Sequence, residues 1–146
     1  MQFDGRSTKV LVVDNDRTTL EMVQIRLDVA GFQAFGARSA QAALEVLGNS
    51  RFDAIILERD LPGIDGMAFL EAMKHLQDRR PVPVLLVGRA LAADDVRKAV
   101  GLGVRDCLAK PFSGAAVLER LGRMLRKTAG APAAAGAQRG VVYLSA

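Results

Sequence analysis

Short apolar runs closed by an acid or a glycine alternate along this chain with stretches whose apolar residues recur every three or four positions. The first run, residues 9–14 (KVLVVD), is continuous and ends on a carboxylate. Residues 17–30 then place Leu20, Val23, Leu27 and Ala30 at helical spacing, and Gly31 stops that predicted helix. A weaker strand is predicted at 32–37 (FQAFGA). Ser39 can cap a short helix carrying Ala43, Leu44 and Leu47 that ends at Gly48. Residues 53–58 make a third strand, and a third helix carries Phe69, Leu70, Met73 and Leu76 on one side. Pro81 and Pro83 introduce a fourth strand, VLLVG. Residues 92–102 read as a fourth helix and 105–109 as a fifth strand. A fifth helix over 113–127 turns Val117, Leu121, Met124 and Leu125 inward.

Strands that alternate with helices in this way predict an α/β fold, a parallel sheet covered on both faces. Residues 1–8 form an N-terminal extension to the domain at 9–127. Residues 128–140 (TAGAPAAAGAQRG) carry no core pattern and read as an Ala/Gly/Pro linker. The apolar tail 141–146 (VVYLSA) is either a docking peptide, a segment packed on the domain, or the first strand of a further domain.

Composition adds little to the fold and more to the setting. The longest apolar runs fall far short of the roughly 20 residues of a membrane span. The first residues, MQFDGRSTKV, show no signal peptide, and a single cysteine, Cys107, suits a reducing compartment. A cytoplasmic protein is expected. Charge is uneven. Residues 1–78 hold 8 Lys+Arg against 12 Asp+Glu, giving −4, whereas residues 79–146 hold 12 against 4, giving +8. That asymmetry is either a solvated basic face or a surface for something anionic.

The most informative stretch is FDAIILERDLPGIDG at 52–66, an apolar strand ending in Glu58 and followed by a Leu-Pro-Gly loop. Together with the acids after strand one, the interval from Gly88 to Lys110 and the Lys110-Pro111 pair, it resembles the response-regulator receiver domain over residues 9–127. The resemblance implies a CheY-like, flavodoxin-like doubly wound sheet of five strands in order 2-1-3-4-5 with five helices. Its working crevice lies at the carboxyl ends of the strands.

The resemblance also assigns positions. Glu58 stands where the family has an aspartate that accepts a phosphoryl group. Asp14, Asn15 and Asp16 form the acidic pocket, with Asn15 in the place of the usual second acid, and Asp16 is expected to cap the following helix. Lys110 occupies the family's lysine position. Gly88 replaces the Ser or Thr, and Cys107 the Tyr or Phe, that respond to phosphorylation. Asp14, Asn15 and Glu58 are the candidate Mg²⁺ ligands, with binding weakened or lost because Mg²⁺ relies on carboxylate charge. Asp60 is the nearest alternative acceptor but stands at the wrong spacing. A cis peptide is expected at Lys110-Pro111. His75 is expected to face solvent and Cys107 to be a small buried hydrophobe rather than a redox sensor.

These departures imply a non-enzymatic signalling module of two-component phosphorelays, an atypical or pseudo-receiver. It would dock a histidine kinase, a phosphotransfer protein or a downstream effector through helix four, strand five and helix five. Two alternatives stand beside it. Arg120, Arg123, Arg126 and Lys127 recur along the fifth helix and could bind an anion such as a cyclic dinucleotide. An ordinary phosphorylated single-domain regulator is the other. DNA binding is not expected, since no helix-turn-helix follows the domain.

Overall fold

Five strands and five helices alternate in a computed structural model that describes residues 8–76 and 81–128. The strands are β1 (Lys9–Val13), β2 (Gln33–Ala37), β3 (Ala54–Glu58), β4 (Val84–Gly88) and β5 (Val104–Ala109). The helices are α1 (Arg17–Val29), α2 (Ala40–Asn49), α3 (Gly66–Leu76), α4 (Ala93–Gly101) and α5 (Gly114–Thr128). All four strand pairings are parallel, in the order β2-β1-β3-β4-β5.

The alternation of side chains along each strand divides the core in two. Leu11, Val13, Ile55, Leu57, Val84 and Leu86 point to one face, where Ala40 and Ala43 of α2, Phe69, Leu70 and Met73 of α3, and Ala99 of α4 cover them. Val10, Val12, Ala54, Ile56, Leu85 and Val87 point to the other. There Leu20, Val23 and Leu27 of α1 and Val117, Leu121, Met124 and Leu125 of α5 close the layer. The central strands β3 and β4 are buried along their whole length, which is why they read as unbroken apolar runs. At the β2 edge, the Lys9 ammonium lies 5.3 Å from the centre of the Phe35 ring and 5.1 Å from that of Phe52.

Three expected details differ. Ala30 is exposed at the C-cap of α1, and Gly31 takes φ +99° beyond it, so the chain leaves the helix one residue before the periodicity ends. Gly48 does not stop α2, which runs on through Asn49 to a cap at Ser50. Leu76 is 45% exposed in the last turn of α3, beyond the reach of the core that buries Phe69, Leu70 and Met73. Thr128, predicted as the first residue of the linker, instead closes α5; the rest of the linker, the tail 141–146 and residues 1–7 of the extension lie outside the described residues. No helix among the described residues is long and apolar enough to cross a membrane.

Candidate functional site

Parallel strands of similar length end together, so the loops after β1, β3, β4 and β5 meet at one edge of the sheet. That edge holds Asp14, Glu58, Gly88 and Lys110. Asp14 and Glu58 are only 2% and 4% exposed. Between them lies the Lys110 ammonium, 2.9 Å from Asp14 Oδ2 and 2.5 Å from Glu58 Oε1. The backbone completes both carboxylates. The Asp16 N–H donates to Asp14 Oδ1 at 2.9 Å, and the Asp60 N–H donates to Glu58 Oε2 at 2.7 Å.

Each arm of this bridge is fixed locally. Lys110 follows β5, where its own N–H donates to the Gly88 carbonyl at 2.8 Å, and its bond to Pro111 is cis, as expected. Burial disfavours the ammonium's charge, but the hydrogen bonds to Glu58 and Asp14 outweigh it and raise the Lys110 pKa above the ordinary lysine value. The lysine is therefore a fixed cation at any physiological pH.

The other predicted residues are less closely gathered. Asn15 and Asp16 are exposed at the rim. Asp16 takes the N-cap position of α1 but does not cap it with its side chain, a correction to the expectation. Its Oδ2 accepts instead from the Thr19 hydroxyl at 2.5 Å, a bond that holds the carboxyl below its usual range. Cys107 is half-buried against the core layer covered by α2, α3 and α4, and burial pushes its thiol pKa up. His75 is exposed, as expected.

The arginine row on α5 is not the open anion site its spacing suggested. Arg120 is 3% exposed and donates to Asp106 Oδ1 at 3.0 Å and to the Cys107 carbonyl at 2.7 Å. Arg123 donates to Asp106 Oδ2 at 3.0 Å. One carboxylate on β5 thus engages both guanidinia, and the stripe is turned inward. Arg126 is half-buried, and the side chain of Lys127 lies outside what is described.

Sequence reading missed two partners here. Asp106 is a lone acid in VRDCLA, and nothing in strand alternation marks it as facing α5. Arg59 is the second. Its guanidinium reaches Asp60 at 2.6 Å and Asp95 on α4 at 3.1 Å, tying the loop after β3 to the first turn of α4. The Asp94-Asp95 pair at the start of α4 was the available signal, since two acids there favour a nearby cation.

Residues 10–122 match the response regulator receiver domain. The chain belongs to that family. Among similar proteins, the receiver domain is 28% identical over 119 residues to the phosphate regulon transcriptional regulatory protein PhoB of Pseudomonas aeruginosa, covering 82% of this chain and 52% of that protein. It is 33% identical over 123 residues to the response regulator MprA of Mycobacterium sp. (strain KMS), covering 82% and 51%. The chain thus spans about half the length of these relatives. Among solved structures, the chemotaxis protein CheY4 of Vibrio cholerae superposes with a TM-score of 0.74 at 28% identity, covering 80% of this chain and 98% of that one. The receiver fold and the 2-1-3-4-5 order expected from the sequence are those observed.

Receiver domains characteristically use Mg²⁺, and the residues present fit it poorly. Two carboxylates reach the crevice floor, and both already bond the Lys110 ammonium. Among the described residues no group of three or more His, Cys, Asp or Glu side chains is placed to hold a metal ion.

Proposed function

We propose that this receiver domain acts in two-component signalling as a phosphorylation-independent interaction module. One observation carries the reading. The carboxylate at the acceptor position, Glu58, is already bonded to Lys110 at 2.5 Å. In a working receiver the lysine engages the phosphorylated acceptor, so the longer glutamate stands in for the modified side chain. Phosphoryl transfer depends on placement, and a displacement of about 1 Å can cost on the order of 10²-fold. Gly88 offers no hydroxyl to a phosphoryl oxygen and Cys107 no ring to swing inward. Asn15 supplies no charge for Mg²⁺.

A domain held in one state is useful as a docking surface. The partner we assign is a histidine kinase, a phosphotransfer protein or a downstream effector, seated on α4, β5 and α5. PhoB, named as a transcriptional regulatory protein, carries about as much chain again beyond the matched part, which supports a role for such domains in controlling something else.

Intact-mass spectrometry after incubation with a small-molecule phosphodonor and Mg²⁺ tests this. No adduct is expected, and a stoichiometric adduct released by hydroxylamine overturns the reading. In titration calorimetry, Mg²⁺ at millimolar levels is expected to show no saturable binding. Binding returns only when Asn15→Asp and Glu58→Asp are combined, because carboxylate charge drives it. Tight binding by the parent chain means another oxygen ligand, Asp16 or Asp60, has taken over.

A further inference from the structure

Gly88 is the last residue of β4, a strand otherwise made of Val84, Leu85, Leu86 and Val87. A glycine inside a strand weakens it, and its usual justification is a close approach by another group. Its backbone is not in the left-handed region, so the conformation itself does not demand glycine. The reason must lie in the space where a side chain would stand.

A Cβ at this position would lie 3.1 Å from Leu91 Cδ2, 3.3 Å from Arg59 Cβ and 3.3 Å from Glu58 Oε2. Comfortable separations between carbon atoms are about 3.5–4.0 Å, so the contacts to Leu91 and Arg59 are tight. The carboxylate oxygen at 3.3 Å is also closer than most Cβ neighbours and would have to give by a few tenths of an ångström. The three neighbours differ in how easily they move. Leu91 Cδ2 is the far end of a flexible side chain and can turn away. Arg59 Cβ is attached to a backbone whose N–H donates to the Val87 carbonyl at 2.8 Å, and it holds its place whatever residue 58 is. Glu58 Oε2 is there only because residue 58 is a glutamate bonded to the Asp60 N–H at 2.7 Å.

We infer that Gly88 is a positioning residue for Glu58. The side chain missing at 88 and the methylene added at 58 use the same volume. Glycine leaves room for Oε2 to accept from Asp60 while Oε1 accepts from Lys110. Any side chain at 88 moves the carboxylate and loosens its bridge to β5. Glu58 and Gly88 are therefore one coupled change to the receiver site, and reverting either alone leaves a mismatch.

This inference rests on where Glu58 lies, and it fails separately from the proposed silence toward phosphate. Phosphoryl uptake by the parent chain would leave the coupling intact, and independent behaviour of the two positions would leave the silence intact. The test compares the parent, Gly88→Ala, Glu58→Asp and the double variant by urea unfolding and by the NMR position of the Asp60 amide. Alanine is otherwise the better strand residue, so a neutral or stabilising effect is the default for Gly88→Ala. The expected result is the reverse. Gly88→Ala lowers the urea midpoint and shifts the Asp60 amide when residue 58 is glutamate. When it is aspartate the amide stays in place and the midpoint falls by less, since only the Arg59 and Leu91 contacts remain. A coupling of about tenfold in the unfolding equilibrium constant is expected, within the range for contacting residues. Equal effects in both backgrounds, or an unmoved Asp60 amide, overturn the inference. Should Gly88→Ala fail to fold, the double variant decides. Folding restored by aspartate supports the coupling, and failure in both backgrounds places the clash on Arg59 or Leu91 and overturns it.

Discussion

Two charge triads flank β5, and they are built with opposite signs. In the crevice, one ammonium serves two carboxylates, Lys110 between Asp14 and Glu58. On the α5 side, one carboxylate serves two guanidinia, Asp106 between Arg120 and Arg123. The first carries a net charge of about −1 and the second about +1, by simple valence. They differ in access to water. All three side chains of the crevice triad are nearly sealed, whereas Asp106 and Arg123 keep 22% and 28% of their side-chain surface in solvent. Removing the central member leaves two like charges in each case, but only α5 has an outlet for the repulsion. Burial, more than the number of ion pairs, sets how much each triad matters.

The largest effect is expected at Lys110. Lys110→Met strands two buried carboxylates beside each other, and breaking a buried pair in this way costs about 3–5 kcal/mol. In the parent chain the sign of the pH dependence is set by the lysine. Its raised pKa means the bridge contributes fully below the unfolded lysine value of about 10.4 and is lost as pH climbs through the higher folded one. Urea unfolding of both proteins between pH 7 and 11 checks this, the variant's deficit shrinking as the parent loses its bridge. A deficit that stays constant up to pH 11 would show that the lysine's charge is not what holds the crevice.

Asp106→Asn should cost less, about 1–3 kcal/mol. Arg120 keeps the Cys107 carbonyl, and Arg123 can swing into water. Adding Arg123→Met to that variant should recover part of the loss by removing the repulsion, measurable as a rise in the urea midpoint. If the second substitution lowers stability further, packing of the arginine stem outweighs its charge.

The smallest effect belongs to the Arg59–Asp95 bridge. Both partners are about a quarter exposed, and Arg59 retains Asp60. Asp95→Asn is expected to change global stability by about 0.5 kcal/mol at most. The readout that should move is local, faster amide exchange in the first turn of α4 and a dependence on salt. Unchanged exchange there would mean that packing, and not this bridge, seats α4.

Much of this arrangement was visible in the residues, for reasons that also explain what was hidden. Apart from Lys9 and Glu58 at their ends, KVLVV, AIILE and VLLVG are apolar because helices cover both faces of the sheet, so burial itself writes the strand. Ser39 announced α2, and its hydroxyl does accept from the Ala42 N–H. Helix ends were harder. Ala30, Gly48 and Leu76 fit the local rules, but the extent of the core decides where a helix stops mattering, and that depends on neighbours far away in sequence. The crevice was legible because parallel strands bring their ends together once the order is known. The α5 triad was not. Helical spacing puts Arg120 and Arg123 on a shared side without saying what that side meets. Their partner lies 14 and 17 residues earlier, on a strand where an acid would ordinarily face water.

The lysine over the two phenylalanine rings at the β2 edge has a consequence for solubility. β2 is five residues long, and its far side pairs with no described strand, leaving a row of backbone groups that another polypeptide could zip onto. Phe35 and Phe52 meet edge-on beside it, their centroids 5.4 Å apart, and would make that seam adhesive. The Lys9 charge rests on both rings, so an incoming strand would have to bury it or pull it away. Short length and one well-placed cation thus keep the outer margin of the sheet from becoming a seed for fibres.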